Sequence, residues 1–453
     1  MNTFDALNSP DAGQDRPAGP VSVPPACDYE ETWNYINGLE RLGCRMGLER
    51  VTRLVQALQD PQKAYKTIHV VGTNGKSSTT RFISALLEGC GLRVGAYVSP
   101  HLVSLAERQM VDSVPSSDEE FCRLVGRVRM VAEEVERALL EGEKLTQFEV
   151  LTATALLHFK EAGCDVAVIE AGLGGRLDAT SVICSDVQVL TGIGLEHTEL
   201  LGDTLSAILA EKAAVIPPHG RVVAGALDAE LKTELRGLCA ARDAECYYLG
   251  EQVMVLADPR AQTFDIYTPY DCYTDISLKT LGTYQHGNAA VAVAAAELLV
   301  GGGLDAEQVR SALGRTTNPG RLEVISSQPF CIFDGSHNSQ GMLETMRSLD
   351  QLMERRRLIA VVSILQGKEV REMMMHLASR CDIIFVTQSS SPRALPADDI
   401  AAMLSDIEKG PEVFVDVDPR SALMSAYRLA TSNQVVLVTG SLTLIADLKR
   451  SLN

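Results

Sequence analysis

The sequence predicts an α/β fold with two domains, an N-terminal domain with a mostly parallel sheet and a smaller C-terminal α/β domain. Short apolar runs alternate with amphipathic stretches along most of the chain, which is the pattern of parallel strands covered by helices on both faces. The turn-rich stretch GRTTNPG at 314–320 interrupts this alternation, which then resumes. With 453 residues, of which 46% are hydrophobic, the chain is long enough to form separate cores.

The N-terminal end is expected to differ from the rest. Residues 1–27 are rich in Pro, Gly, Ala and Asp and carry few large apolar side chains, which predicts a disordered leader. The periodic stretch YEETWNYINGLERLG, which begins at Tyr29, predicts a first helix. The two domains are then expected over 28–314 and 321–453.

Strands and helices of the N-terminal domain follow from the hydrophobic pattern. Apolar runs predict strands at 67–72, 93–99, 165–172, 187–194 and 221–226. Amphipathic or buried runs predict helices at 77–89, 119–140, 148–162 and 286–300. The segment 246–283 contains short alternating runs such as FDIYTPY, which predict an antiparallel flap.

The C-terminal domain shows the same alternation. Its apolar runs predict strands at 331–335, 358–365, 382–387, 412–417 and 434–441. The intervening stretches are long enough for helices, so a second, smaller parallel sheet is expected.

Composition excludes several classes of function. A net charge of −18 argues against a protein that binds nucleic acid non-specifically. The 11 cysteines are scattered without CxxC or His/Cys ligand spacing, which indicates thiols in a reducing compartment. The chain has no apolar run of membrane-spanning length and no signal peptide. We therefore expect a cytoplasmic protein, monomeric, with small-molecule partners and no nucleic acid or membrane partner.

The stretch HVVGTNGKSST places a glycine-rich turn between a predicted strand and a predicted helix. Glycines let backbone N–H groups surround an anion, and the helix N-terminus adds a favourable dipole. Lys76 would reach the β and γ oxygens of a nucleotide, and Ser77 could face Mg²⁺. The strict phosphate-loop pattern is not met, because position 70 is Val, and the alternative is an ordinary turn with a surface lysine. The candidate nucleotide-binding residues are Gly72, Thr73, Asn74, Gly75, Lys76, Ser77 and Ser78.

Polar residues follow three further predicted strands where the apolar pattern ends. Ser99 and His101 follow the second strand, Glu170 ends another, and His197 follows a fourth, with Lys212 on the next helix. Ligands of parallel α/β sheets bind beyond the carboxyl ends of the strands. Ser99, Glu170 and His197 are therefore a candidate Mg²⁺ site that also holds phosphate oxygens. Each of these residues alone could equally be a cap or an ordinary loop residue.

Several longer stretches together resemble one family. GTNGKSST, YVSPHLVSLAER, LTQFEVLTATALLHF, VAVIEAGLGGRLDATSVI, GLEHTELLGDTLSAILAEKAAVI, PGRLEVI and DGSHN resemble, in order, the folylpolyglutamate synthase/dihydrofolate synthase family of the Mur-ligase group. The resemblance covers nearly the whole chain from about residue 30. It implies an ATP-dependent amide ligase with ATP in the cleft between the two domains.

The resemblance also implies roles for particular residues. Lys76 would hold ATP phosphates, Ser99, Glu170 and His197 would bind Mg²⁺, and Lys212 would carry a carbamate beside a second Mg²⁺. In the second domain Arg321 would reach the phosphates, and Asp334 and His337 would lie near the ribose and the incoming amino acid. Asn288 would contact the nucleotide. The catalytic set implied is Lys76, Lys212, Arg321 and His337.

The acceptor pocket is assigned in the same way. The stretches YVSPHLVSLAER and LTQFEVLT resemble those that line the family's pterin pocket, so Phe148, His101, Arg108 and His337 are the expected substrate contacts. Departures from the family pattern at Ser77, Glu196, Tyr284, Ser336 and Ser339 indicate a divergent member.

The implied reaction joins L-glutamate to the carboxylate of a folate or dihydropteroate acceptor through an acyl phosphate. Two alternatives stay open from the residues alone. One is a ligase of the same mechanism acting on a different carboxylic acid, and the other is a non-catalytic nucleotide-binding paralogue. The second would be expected to have lost a ligand residue, and none of the candidates is lost.

Overall fold

The computed structural model describes residues 28–40, 47–140, 142–257, 263–353, 356–367, 369–407, 410–431 and 433–452. The leader predicted at 1–27 lies outside the described residues. No helix in these ranges is both long enough and apolar enough to cross a membrane.

The first domain alternates strands and helices as its hydrophobic pattern predicts. Its strands are β1 Lys66–Val71, β2 Val94–Tyr97, β3 Gln109–Val111, β4 Val114–Pro115, β5 Val166–Glu170, β6 Val187–Gly192, β7 Arg221–Ala226, β8 Glu245–Tyr248, β9 Met254–Ala257, β10 Phe264–Tyr267 and β11 Cys272–Ile276. Its helices are α1 Tyr29–Gly38, α2 Glu49–Ala57, α3 Lys76–Gly89, α4 Asp118–Arg137, α5 Gln147–Glu161, α6 Thr198–Leu201, α7 Leu205–Ala213, α8 Ala229–Ala240, α9 Tyr284–Val300 and α10 Ala306–Arg315.

The main sheet has eight strands in the order β4-β3-β2-β5-β1-β6-β7-β8. β1 lies between β5 and β6 and is parallel to both, and β3 and β4 add an antiparallel edge. Successive side chains of a strand point to opposite faces. Val168 of β5 accordingly packs in the core with α3 and α9, whereas Ile169 packs in the core with α4 and α5. The apolar runs are nearly continuous because helices cover both faces.

The flap predicted at 246–283 is partly wrong. β8 (Glu245–Tyr248) is parallel to β7 and extends the main sheet. The strands β9, β10 and β11 do form a separate antiparallel sheet. That small sheet packs on α9, which is buried along most of its length.

The second domain is a six-stranded sheet in the order β12-β13-β17-β14-β15-β16 with its own cores. Its strands are β12 Glu323–Ser327, β13 Phe330–Phe333, β14 Arg357–Val362, β15 Cys381–Val386, β16 Glu412–Val415 and β17 Gln434–Thr439. Its helices are α11 Ser339–Leu352, α12 Val370–Ala378, α13 Ala397–Ser405, α14 Pro419–Leu429 and α15 Leu442–Leu452. β12 is antiparallel to β13, and the remaining pairs are parallel. The predicted fold class, a mostly parallel sheet domain followed by a smaller α/β domain, is confirmed.

Candidate active site

The glycine-rich loop joins the end of β1 to the start of α3, and its two glycines are required by close packing. Gly72 has φ 149° and Gly75 has φ 87°. A Cβ on Gly72 would lie 2.0 Å from Thr191 Oγ1, and one on Gly75 would lie 2.6 Å from Asn288 Oδ1. Any larger residue would displace these neighbours. The loop therefore keeps a tight turn at the N-terminus of α3, where backbone N–H groups favour anions.

Neighbouring strand ends hold the loop in place. Thr73 Oγ1 donates to Gly194 O at 3.1 Å and accepts from Gly194 N at 3.0 Å. Thr191 Oγ1 donates to Asn74 O at 2.7 Å. The Lys76 ammonium donates to Gly72 O at 2.8 Å and to Thr73 O at 3.0 Å. The structure thus places a positive charge directly against the loop.

Glu170 ends β5, beside the loop, with 1% of its surface exposed. Its Oε1 accepts from Ser77 Oγ at 2.9 Å, and its Oε2 accepts from Ser99 N at 3.1 Å. Burial raises the pKa of Glu170, and the charge of Lys76 opposes that rise. A carboxylate oxygen has more than one acceptor position, so both oxygens can bind a further partner. The structure therefore brings together Glu170, Ser99 and the loop, as the sequence predicts.

Lys212 of α7 also lies against the loop and is 1% exposed. Its Nζ donates to Glu196 Oε1 at 2.6 Å and to Gly72 O at 2.9 Å. Burial, followed by the nearby charge of Lys76, lowers the pKa of Lys212 to about 8. Glu196 is not among the predicted site residues. Its position immediately before His197 is the feature of the sequence that could have indicated it.

His197 lies at the start of α6 with φ 45°, and its side chain is 41% exposed. Its Nδ1 is 3.7 Å from Glu199 Oε1. The described residues contain no group of three or more His, Cys, Asp or Glu side chains that could hold a metal ion. Mg²⁺ in proteins is commonly held by one or two carboxylates together with substrate phosphates and water. One buried carboxylate beside two serines and a phosphate-type loop fits that mode of binding.

A cavity of about 600 Å³ opens between the two domains next to Ser99. Trp33 and Phe148 form an aromatic wall of the cavity. Arg450 of α15, in the second domain, also lines the cavity. The Phe148 ring lies against Gly172, where a Cβ would be 2.5 Å from the ring. The cavity is large and partly aromatic, so it can accept a planar ring system. Phe148, predicted as a substrate contact, therefore lines a suitable pocket.

The polar wall of this cavity contains two of the predicted contacts and one unpredicted ion pair. Arg108 Nε donates to His101 Nδ1 at 3.0 Å, and burial lowers the pKa of His101 to about 4. His101 is therefore a neutral imidazole near neutral pH, with Nδ1 as the acceptor. Arg50 Nη2 lies 3.1 Å from Glu149 Oε1, with both side chains under 10% exposed. Arg50 and Glu149 were missed because an Arg on one helix and a Glu on another give no sequence sign of pairing.

The DGSHN segment follows β13 in the second domain. Asp334 is 1% exposed. Its carboxylate accepts from Leu322 N at 2.9 Å, Ser336 N at 3.1 Å and Thr345 Oγ1 at 2.8 Å. These bonds fix the loop that presents His337, whose Nδ1 lies 2.9 Å from Gly335 O.

The two domains meet directly at the phosphate loop. Asn74 Nδ2 donates to Gln340 Oε1 at 3.1 Å, and Asn338 Nδ2 donates to Asn74 Oδ1 at 3.3 Å. On the other side of the loop, Asn288 Nδ2 donates to Gln285 Oε1 at 2.9 Å. Asn74 of the loop therefore lies at the contact between the two domains.

Comparison with known families gives two matches. Residues 70–296 match the Mur ligase middle domain. Residues 320–442 match the Mur ligase, glutamate ligase domain.

Known proteins are similar to the chain over nearly their full length. The chain is 32% identical to a dihydrofolate synthase/folylpolyglutamate synthase of Bacillus subtilis over 94% of this chain and 99% of that one. A Mycobacterium tuberculosis folylpolyglutamate synthase complexed with ADP has a TM-score of 0.88 and 30% identity, covering 94% of this chain and 98% of the other. A bifunctional folylpolyglutamate synthase/dihydrofolate synthase with Mn, AMPPNP and L-glutamate bound has a TM-score of 0.82 and 29% identity, covering 95% and 100%.

Proposed function

Since the chain belongs to the folylpolyglutamate synthase/dihydrofolate synthase family of Mur ligases, it is an ATP-dependent ligase that adds L-glutamate to a folate or dihydropteroate carboxylate, and we propose how its residues divide that reaction. Its substrates are ATP, L-glutamate and the pteroate-type acceptor, and it uses a divalent metal ion. The observation that carries the assignment is the placement of Ser99. This residue lines the acceptor cavity and also donates its backbone N–H to Glu170 beside the phosphate loop.

In the first step the acceptor carboxylate attacks the γ-phosphate, which gives an acyl phosphate and ADP. Residues 72–78 hold the phosphates. Lys76 and Arg321 neutralise the negative charge that spreads over the transferred phosphoryl group. Asn288 and Asp334 contact the nucleotide side of the cleft. Ser99, Glu170 and His197 would hold one Mg²⁺, and Lys212 as a carbamate would help to hold a second. The metal neutralises phosphate charge when bound.

In the second step the α-amine of L-glutamate attacks the acyl phosphate and releases phosphate. His337, held by the braced DGSHN loop, orients the glutamate from the second domain. Phe148 stacks on the acceptor ring while His101 and Arg108 contact its polar part. We further propose domain boundaries at 28–314 and 321–453, which agree with the separate sheets and cores, and a monomer that acts in the cytoplasm.

The test is a substrate panel with the purified full-length protein. Phosphate release from ATP should require both L-glutamate and an acceptor. Comparing dihydropteroate, tetrahydrofolate and 10-formyl-tetrahydrofolate separates the synthase activity from the polyglutamylating activity. Mass spectrometry should find the acceptor heavier by one glutamyl unit.

Two controls make the panel decisive. Omitting glutamate or ATP should abolish the mass increase. Turnover with some other carboxylic acid but with none of the pterins would keep the ligase mechanism and contradict the folate assignment. Phosphate release at the same rate with and without an acceptor would contradict both the ligase mechanism and the folate assignment.

A further inference from the structure

A second, small cavity of about 40 Å³ lies beside the phosphate loop. Ser77 of the loop and Arg81 of α3 line one side, and Asn318 and Arg321 of the connection to the second domain line the other. It shares the wall formed by Pro100, His101, Leu102 and Leu442 with the acceptor cavity. This second cavity, called here the transfer pocket, therefore lies between the phosphate loop and the acceptor.

Asn318 in the transfer pocket is a buried amide without a hydrogen-bond partner. The residue is 4% exposed, and neither its Nδ2 nor its Oδ1 is bonded to any described part of the chain. Burying a polar group without a partner is destabilising, and native structures almost always avoid it. Such an amide facing a cavity indicates that the cavity receives a polar ligand.

Two arginines add positive charge to the same pocket. Arg81 Nη1 donates to the thioether of Met110 at 3.5 Å, and a thioether is a weak acceptor. In the described ranges of the chain, neither Arg81 nor Arg321 forms an ion pair with a carboxylate. Glu107 also lines this pocket, and its carboxylate accepts from the backbone N–H groups of Leu102, Val103 and Ser104. The pocket thus presents two guanidinium groups and an amide N–H, which is the donor chemistry that recognises an oxyanion.

Resting on the proposed function, we propose that Arg81 and Asn318, together with Arg321, bind the phosphoryl group while it passes from ATP to the acceptor carboxylate. The position between the loop and the acceptor cavity is where that group must travel. The size of the pocket agrees, because it has room for a compact group of a few atoms and not for a whole amino acid. Arg81 and Asn318 would then be catalytic residues that nothing in the sequence pattern assigns.

The direct test is the binding of inorganic phosphate in the presence of ADP and Mg²⁺, measured by calorimetry. We expect Arg81→Ala to weaken phosphate binding by about tenfold or more, because it removes hydrogen bonds from a charged donor. Asn318→Leu should weaken it several-fold while leaving the melting temperature unchanged or higher, because an apolar side chain relieves the unpaired amide. Both should lower kcat with little change in the KM for glutamate.

Arg137→Ala is the matched control, since Arg137 is exposed on α4 and lines neither cavity. Variants at 81 and 318 that match this control in phosphate affinity and kcat would overturn the proposal and identify the pocket as a water site. A raised KM for glutamate with unchanged phosphate binding would overturn it in favour of a glutamate carboxylate site. Wild-type protein that binds phosphate through these residues but glutamylates no pterin would contradict the proposed function and leave the transfer pocket supported.

Discussion

Two lysines both donate to the same carbonyl oxygen of the phosphate loop, Gly72 O. Lys76 belongs to the loop itself, whereas Lys212 comes from α7 and also pairs with Glu196. Their proximity matters, because the charge of Lys76 is one of the causes that lower the pKa of Lys212. Changing Lys76 should therefore alter the pKa of Lys212.

Lys76→Ala should reduce turnover by at least about 100-fold, since it removes a charge that stabilises the transferred phosphoryl group. The fold should survive, because Lys76 is not part of an apolar core. Steady-state phosphate release and the melting temperature measure both effects. Lys63→Ala, which removes an exposed lysine paired with Asp60, should leave both unchanged. Near-normal turnover of the Lys76 variant would contradict its role.

A carbamate on Lys212 is testable without measuring turnover. Burial favours the neutral amine, which is the form that reacts with carbon dioxide. Isotopically labelled bicarbonate should give a carbamate carbon signal by NMR in the wild-type protein and none in Lys212→Ala. The variant should also lose activity at high Mg²⁺ concentration. A wild-type spectrum that matches the variant would contradict the carbamate.

At the scale of single elements, α9 connects the cleft to the small antiparallel sheet. It begins near Asn288, which contacts the phosphate loop, and its far end carries Glu297. Glu297 is 0% exposed, and its Oε1 accepts from Tyr273 at 2.7 Å and from Thr268 at 2.9 Å. Burial raises the pKa of Glu297 to about 7, and the charge of Asp271 adds to the rise. The carboxyl group of Glu297 therefore stays protonated to a higher pH in the folded protein than in the unfolded chain.

This raised pKa predicts that stability falls with rising pH. The folded protein binds more protons than the unfolded chain between pH 4.5 and about 7, so stability is full below that window and declines through it. The loss should be at most about 3 kcal/mol. Glu297→Gln should flatten this dependence when urea unfolding is compared at about pH 5 and about pH 8. Glu230→Gln, at an exposed position on α8, should keep the wild-type slope, and a wild-type slope in the Glu297 variant would contradict the assignment.

Sequence patterns predict elements well where burial on both faces leaves a continuous apolar run. Strands β1, β5, β6 and β7 are of this kind, and both ends of each lie within two residues of the predicted bounds. The sequence places β8 in the flap because a strand as short as ECYY does not indicate which sheet it joins. β12 was not predicted, because its pattern of half-exposed residues resembles a loop.

Some residues of the candidate site could be predicted from the sequence, and others could not. Lys76, Ser99 and Glu170 could be predicted because each follows a strand of the same parallel sheet. Asn318 could not, because its importance comes from burial without a partner, which depends on how the two domains pack. Three-dimensional contacts that join distant segments leave no local signal.

At the scale of the whole molecule, the nucleotide loop is also an interdomain contact. Asn74 uses both ends of its amide, donating to Gln340 and accepting from Asn338. Gly194 makes room for Gln340, since a Cβ there would lie 2.2 Å from Gln340 Oε1. Binding at the loop and the position of the second domain are thereby coupled.

Gln340→Ala should lower kcat by about 3- to 10-fold, because it removes one hydrogen bond that holds the domains together over the loop. The affinity for a non-hydrolysable ATP analogue should change little. The double variant with Asn74→Ala should have no lower kcat than Asn74→Ala alone, which identifies a shared interaction. Gln351→Ala, exposed on the same helix, is the control. Fully additive losses would exclude the coupling.

Leu442 lines both cavities, and from this position we expect it to affect how much ATP each amide bond consumes. An acyl phosphate reached by water hydrolyses and wastes a nucleotide, so the apolar partition between the cavities protects the stoichiometry of the reaction. Leu442→Ala should therefore raise the ratio of phosphate released to amide formed above one, even where amide synthesis continues. Measuring both products in the same assay checks this, and a ratio that stays at one would remove Leu442 from that role.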